Sequence, residues 1–251
     1  MPLPQIATPV HELELFSTKD KVQYRPFLVR EEKLLLLAME TEDIKEISNA
    51  VKTVVKNCIK SIKPVKGPAL TEEQIDAKIE SLPTFDIELL FLNLRTRSIG
   101  EEVEVGIVCP DDNQTIVNTK INITDIQIDV DPEHTNQIKI NDEITMEMMY
   151  PSLEQFINSN FDVTANDPDQ SFELIASCVD RIYTKEEVFD HTDVTKKEIV
   201  EFLDQMTNNH FIQIDKFFKT MPKLTHTLSV TNPNTKVTSE VVLEGLQAFF
   251  G

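Results

Sequence analysis

The chain of 251 residues has no tryptophan, three tyrosines and only five glycines. So little glycine excludes the Gly-rich loops that cradle phosphates, which need several backbone positions without a Cβ. Its three cysteines, Cys58, Cys109 and Cys178, are odd in number and far apart. That is no disulfide framework, and it suits a reducing compartment. No apolar run approaches the roughly 20 residues of a membrane span. The start, Met1-Pro2-Leu3-Pro4, has neither the basic head nor the apolar core of a signal peptide. None of the five histidines, His11, His134, His191, His210 and His226, stands in a ligand or general-base motif, and no nucleophile elbow occurs. Acids are numerous enough for some pair to lie at glycosidase spacing by chance, which carries no weight alone. These absences point away from an enzyme, a secreted scaffold or a membrane protein. They leave a protein made and used inside a cell, or packed into a particle assembled there.

What is present is an ordinary globular composition with an unusual charge. Forty-three acidic side chains face 24 basic ones, for a net −19. Residues 1–98 hold 14 basic and 15 acidic groups, 99–150 hold 2 and 12, and 151–251 hold 8 and 16. The acidity therefore lies in the middle and C-terminal parts. Such a surface repels nucleic acid and anionic lipid, and reads as a solvated face or as a match for a basic protein.

Along the chain, residues 1–9 read as an extended arm with three prolines. His11–Leu15 and Lys21–Tyr24 alternate about a Ser-Thr-Lys-Asp turn, which predicts a β-hairpin. Pro26 suits the first turn of a helix running to about Met39, and its four successive leucines, Leu34 to Leu37, predict burial on several sides. A second helix carries Ile44, Ile47, Val51, Val54, Cys58 and Ile62 on one stripe, with Cys58 as a small core residue. Thr71–Gln74 is a capping box for a short helix that Pro83 stops. Thr84 opens another, expected to lie against the first, with Asp86, Glu88, Arg95 and Arg97 in buried pairing between the two. At Gly100 the period changes to two. Strands are expected at 102–109, 116–130 and 138–149, one face apolar and the other acidic. Helices return at Ser152–Ser159, Phe172–Ile182, from Thr195 (a second capping box) and at Phe211–Met221, with a loop or short strand at Glu186–Phe189. Asn232-Pro233-Asn234 turns a C-terminal hairpin, and the hairpins near the two ends are free to lie side by side. No fixed-period repeat is visible. The fold class is α+β: an N-terminal hairpin with helices (1–98), a central, mostly antiparallel acidic β region (99–150), and C-terminal helices with a hairpin (151–251), as three parts or one composite domain.

Three places invite a functional reading. Cys109-Pro110-Asp111-Asp112 sits where a zinc ribbon places a knuckle, but zinc needs four N or S ligands in two close pairs and the partner cysteines are absent. Calcium-loop spacing is absent as well. No metal or cofactor is expected. The cluster Arg25, Arg30, Glu31, Glu32 and Lys33 reads either as intrachain ion pairing or as a recognition surface beside the leucines. In the second reading Arg25, Arg30 and Glu31 contact a partner. Phe249 and Phe250 at the C-terminal end are further anchors, either docked in a partner or packed back as a short helix.

Several segments together carry a resemblance. They are the arm Leu3-Pro4-Gln5-Ile6-Ala7, the run Tyr24-Arg25-Pro26-Phe27-Leu28-Val29-Arg30-Glu31-Glu32-Lys33, the segment Leu82–Arg95 with Ser98-Ile99-Gly100-Glu101, then Phe217-Phe218, Met221-Pro222-Lys223-Leu224 and Leu243–Gln247. In this order and over the whole chain they resemble the baseplate hub and hub assembly proteins of contractile-tailed, T-even-type bacteriophages, cyanophage relatives included. Some relatives carry cysteine pairs at the hairpin tips, where this chain keeps Cys109 alone. The resemblance implies a late protein of tail assembly, at work in the host cytoplasm and in the virion baseplate, whose partners are other baseplate hub proteins. It supplies no catalytic residues. A noncatalytic, chaperone-like hub assembly protein is the leading expectation, with a permanent structural hub subunit and a tail-associated hydrolase as the alternatives.

Overall fold

A computed structural model describes residues 6–158 and 168–245, and the chain divides into two compact units. One comprises Met1–Asp129 with Lys223–Gly251, the other Val130–Pro222. Both mix helices with antiparallel strands, so the fold is α+β as expected.

In the first unit β1 (His11–Glu14) and β2 (Lys21–Tyr24) form the expected hairpin. β3 (Ile59–Lys63) adds to β2, giving the order β1-β2-β3. Among the described residues four helices accompany this sheet: α1 (Val29–Met39), α2 (Ile44–Cys58), α3 (Glu72–Ser81) and α4 (Thr84–Ser98). Asp43 caps α2, its carboxylate accepting from Lys45 N at 2.8 Å. The Thr71–Gln74 capping box starts α3 as its sequence predicts. α2 is shorter than its apolar stripe suggests. At Ile59 the backbone turns extended and the chain enters β3 without a linker. Ile62 is still buried, but from a strand, because β2 offers the β-branched segment a hydrogen-bonded edge.

Helix α1 departs most from expectation. It starts at Val29, since Arg25 N donates to Cys58 O and the Arg25 guanidinium to Pro26 O, which keeps the residues before Leu28 off the helix. Of the four leucines only Leu35 is buried, with Glu31 and Ala38 on the same stripe. Successive residues are turned by about 100°, so a helix with one neighbour can cover only a third of them. Among the described residues the main neighbour of α1 is α2. α4 also packs on α2, not on α1 as expected, and its other side meets β11 (Lys223–Thr231) and a 3-10 turn at Ile123–Asp125. Covered on both sides, it buries Phe85, Ile87, Leu90, Phe91, Leu92 and Leu94. Asp86 does not pair across to α1. Its carboxylate accepts from Phe16 N at 2.7 Å and from the N–H and hydroxyl of Ser17, closing the β1–β2 turn.

The acidic β region expected over 99–150 is not one sheet. β4 (Glu102–Val108) and β5 (Ile116–Asn122) form a ribbon with Val103, Val105 and Ile107 inward and Glu102 and Glu104 outward. β6 (Gln127–Asp129) pairs instead with β11, which pairs with β12 (Thr238–Glu244). The hairpins near the two ends therefore lie in separate sheets.

In the second unit β7 (Gln137–Lys139), β8 (Thr145–Met148), β9 (Val179–Tyr183) and β10 (Val188–Asp190) form one antiparallel sheet, ordered β10-β9-β8-β7. Its helices are α5 (Leu153–Asn158), α6 (Pro168–Ser177), α7 (Lys196–Leu203) and α8 (Asn208–Thr220). The second capping box, Thr195–Glu198, starts α7. The core joins Ile138 and Met146 from the sheet to Ile175, Ile214, Phe217 and Phe218 from the helices.

Candidate partner-binding surfaces

The polar cluster at the head of α1 folds inward. Arg25 and Glu31 are 4% and 1% exposed. One guanidinium nitrogen of Arg25 donates to Glu31 Oε1 and to Asn57 O, both at 3.0 Å. The other donates to Pro26 O at 2.9 Å and lies 3.6 Å from Cys58 Sγ. Glu31 also accepts from Leu28 N at 2.8 Å, which caps α1, and from Arg30 Nε at 2.6 Å. Burial alone raises the Glu31 carboxyl, but the hydrogen bonds from Arg25, Arg30 and Leu28 N together hold it at about 2. The pair thus joins the end of β2, the start of α1 and the end of α2. Removing one member of such a buried pair costs about 3–5 kcal/mol, since the other charge is left uncompensated. Arg25, Arg30 and Glu31 do come together, but only Arg30, with 71% of its side chain exposed, faces outward. Phe249 and Phe250 lie outside the described residues.

What the sequence did not disclose is the outer side of α1. Val29, Leu36 and Leu37 are 79%, 56% and 52% exposed, and Leu28 and Leu34 are exposed beside them. At helical spacing Val29, Lys33, Leu36 and Leu37 share one face, flanked by Arg30. An exposed apolar strip bordered by charges, Arg30 and Lys33 with Glu32 and Glu40, is the form of a protein contact surface. The available signal was length: a helix of 11 residues docked on one neighbour cannot bury four consecutive leucines.

A second cluster forms where the β4–β5 tip meets the β11–β12 tip. The two tips have matching backbones. Cys109 N donates to Thr115 O and Asn113 N to Cys109 O; likewise Asn232 N donates to Val237 O and Lys236 N to Asn232 O. Asn113 and Lys236 take the left-handed conformation, at φ 53° and 65°. Asn232 is fully buried. Its Oδ1 accepts from Asn234 N at 2.9 Å and Thr235 N at 3.4 Å. Its Nδ2 donates across to both Asp111 oxygens at 3.1 Å and to Asp112 Oδ2 at 2.9 Å. Thr235 Oγ1 donates to Asp111, and Asn234 Nδ2 to Thr115 Oγ1. Hydrogen bonds from Thr235 and Asn232 lower Asp111, and those from Thr115, Gln114 and Asn232 lower Asp112. Burial and these two carboxylates raise the Cys109 thiol. The positions of a ribbon knuckle thus hold one thiol, carboxylates already accepting, an amide and a hydroxyl. That donor set does not fit zinc. Among the described residues no group of three or more His, Cys, Asp or Glu could hold a metal ion.

In the second unit His134 makes the most site-like arrangement. Its Nδ1 lies 2.9 Å from Thr220 Oγ1 and its Nε2 2.9 Å from the Tyr150 hydroxyl, with the ring stacked on Tyr150. Thr220 gives its proton to Lys216 O at 2.7 Å, so it accepts from His134 and Tyr150 donates to Nε2. Burial lowers His134, against the pull of Asp131. The neutral imidazole therefore bridges the two hydroxyls, donating to Thr220 and accepting from Tyr150.

The model of the T4 bacteriophage base plate protein family matches residues 8–251, nearly the whole chain, and the chain belongs to that family. No curated protein and no solved structure matches it.

Proposed function

We propose that this base plate family member is a noncatalytic hub assembly protein that binds other base plate components through the outer side of α1. The observation that carries the reading is the exposed Val29–Leu36–Leu37 strip with Arg30 and Lys33 beside it, in a chain of a family of assembled tail parts. Apolar anchors with a charged rim provide affinity at the centre and orientation at the edge. Arg30 is the member of the polar cluster placed to touch a partner, while Arg25 and Glu31 hold the helix that presents it. Phe249 and Phe250 add a second anchor at the C-terminal end. The protein acts chaperone-like in the host cytoplasm: it covers an immature hub surface and then leaves.

The experiment is a pull-down from infected cells with the parent chain and a Leu36→Lys, Leu37→Lys variant. The parent captures base plate proteins, and the variant loses them while keeping its melting temperature. Equal capture by both excludes α1 as the contact. Stoichiometric presence of the chain in purified particles, read by mass spectrometry, excludes the departing chaperone and leaves a permanent hub subunit.

A further inference from the structure

We infer that the chain carries one folding module twice, over residues 11–98 and 137–222, and that in the second copy the neutral amide of Gln155 does the structural work of the Arg25–Glu31 ion pair. Both segments run hairpin, helix, helix, strand, helix, helix, with only β10 added in the second. The strand registers coincide down to their irregularity. Val22 pairs with Ile62 and Gln23 with Ser61, then the register shifts and Tyr24 pairs with Ile59. In the second copy Met146 pairs with Ile182 and Glu147 with Arg181, then the register shifts and Met148 pairs with Val179. In each, a fully buried cysteine stands at the junction of the second helix with the third strand, Cys58 as the last residue of α2 and Cys178 between α6 and β9. The carbonyl of that cysteine accepts from the residue after the second strand, from Arg25 N or from Met149 N.

The spacing is constant where it should be. The capping boxes Thr71–Gln74 and Thr195–Glu198 lie 124 residues apart. Behind them Ile75 and Ile79 correspond to Ile199 and Leu203, and Leu90 and Leu94 to Ile214 and Phe218, all buried. Thr96 and Thr220 each donate to the carbonyl four residues earlier. The second strands are also 124 apart, and the third strands 120. The second copy is therefore four residues shorter across its first two helices and four longer where β10 was added. Separate origins would not reproduce a register shift, two caps and a helix-to-strand junction together.

Position by position, Leu28 and Glu31 correspond to Ser152 and Gln155, and Arg25 to Met149. Glu31 accepts from Leu28 N, and Gln155 Oε1 accepts from Ser152 N, both at 2.8 Å. Arg25 donates to Asn57 O at 3.0 Å, and Gln155 Nε2 donates to the equivalent Ser177 O at 3.4 Å. Each copy thus caps its first helix and ties it to the end of its second. One does so with two charges, the other with one amide, helped by the Ser152 hydroxyl, which accepts from Gln155 N at 3.3 Å. The surfaces have meanwhile diverged: residues 11–98 hold 14 basic and 15 acidic groups, residues 137–222 hold 7 and 17.

The test uses the full chain. Arg25→Met with Glu31→Gln brings the second copy's amide into the first, and Met149→Arg with Gln155→Glu brings the ion pair into the second. Each double variant should unfold within about 3 °C of the parent, while Arg25→Met or Glu31→Gln alone should lower Tm by about 6 °C or more. Doubles that lose as much as the summed single changes, or fail to fold, overturn the inference. A folded Arg25→Met, Glu31→Gln double that no longer captures base plate proteins overturns the structural role of the pair, whereas loss of capture by the Leu36 and Leu37 variant bears only on the proposed contact.

Discussion

Replacing Asn232 by alanine tests the clasp between the two hairpin tips. Asn232 is fully buried and uses both ends of its amide. The oxygen closes its own turn through Asn234 N and Thr235 N, and the nitrogen reaches Asp111 and Asp112 across the gap. Alanine removes both. A hydrogen bond within the turn is worth about 0.5–1.5 kcal/mol, and one to a charged group about 1.5–3. The lower end applies across the gap, because Asp111 keeps the Thr235 hydroxyl and Asp112 keeps Thr115 and Gln114. The loss should be about 3 kcal/mol, or a fall in Tm of about 6–12 °C for a chain of this size. Thermal unfolding measures it, and hydrogen exchange locates it. Protection should fall at both 109–115 and 232–237, since one side chain serves both tips. A loss under about 1 kcal/mol, or exchange that rises at 232–237 alone, refutes the clasp. Asn232→Asp sharpens the test. At neutral pH it sets a third carboxylate against two and should be worse than alanine. As the pH falls and the new acid is protonated it regains a donor, so the gap between the two variants should close.

Leu35→Ala should cost about 2–4 kcal/mol in denaturant unfolding, whereas Leu36→Ala should stay within about 0.5 kcal/mol, because only Leu35 is buried. Glu31 sits at about 2 in the folded chain against an ordinary 4.5, so its stabilisation is complete above 4.5 and drains away as the pH falls towards 2. A Glu31→Gln, Arg25→Met variant should lack that part of the acid transition in a pH series. Burial pushes Cys58 up to about 11 and Cys178 up to about 12, so neither should react with iodoacetamide in the native chain at pH 8, while both should react in denaturant.

The helix starts at Thr71 and Thr195, the stops at Pro83 and Pro222, and the turn at Asn232-Pro233-Asn234 were legible because each signal acts within a few residues. The failures share a different cause. Ile62 fits a helical stripe and a strand equally well, and β2 decided between them. The strands of 99–150 looked like one sheet, yet β6 found its partner about a hundred residues on, in β11. The duplication was invisible as a repeat because few pairs, such as Cys58 and Cys178 or Ile75 and Ile199, kept the same residue. What persisted was burial, register and capping, which a string of letters does not display. The sequence put Arg25, Arg30 and Glu31 in one cluster but could not say which of them turned inward.

The sequence by itself determined the kinds and ends of most elements, the absence of Gly-rich phosphate loops and of catalytic motifs, and the acidic surface. Those follow from backbone preferences, side-chain chemistry and net charge, which act locally or simply add. Tertiary structure alone decided which side of α1 stays bare, which strands pair, and that a charged pair in one module answers to a single amide in the other. Burial and pairing depend on neighbours brought from far along the chain. A leucine carries no sign of whether anything will cover it.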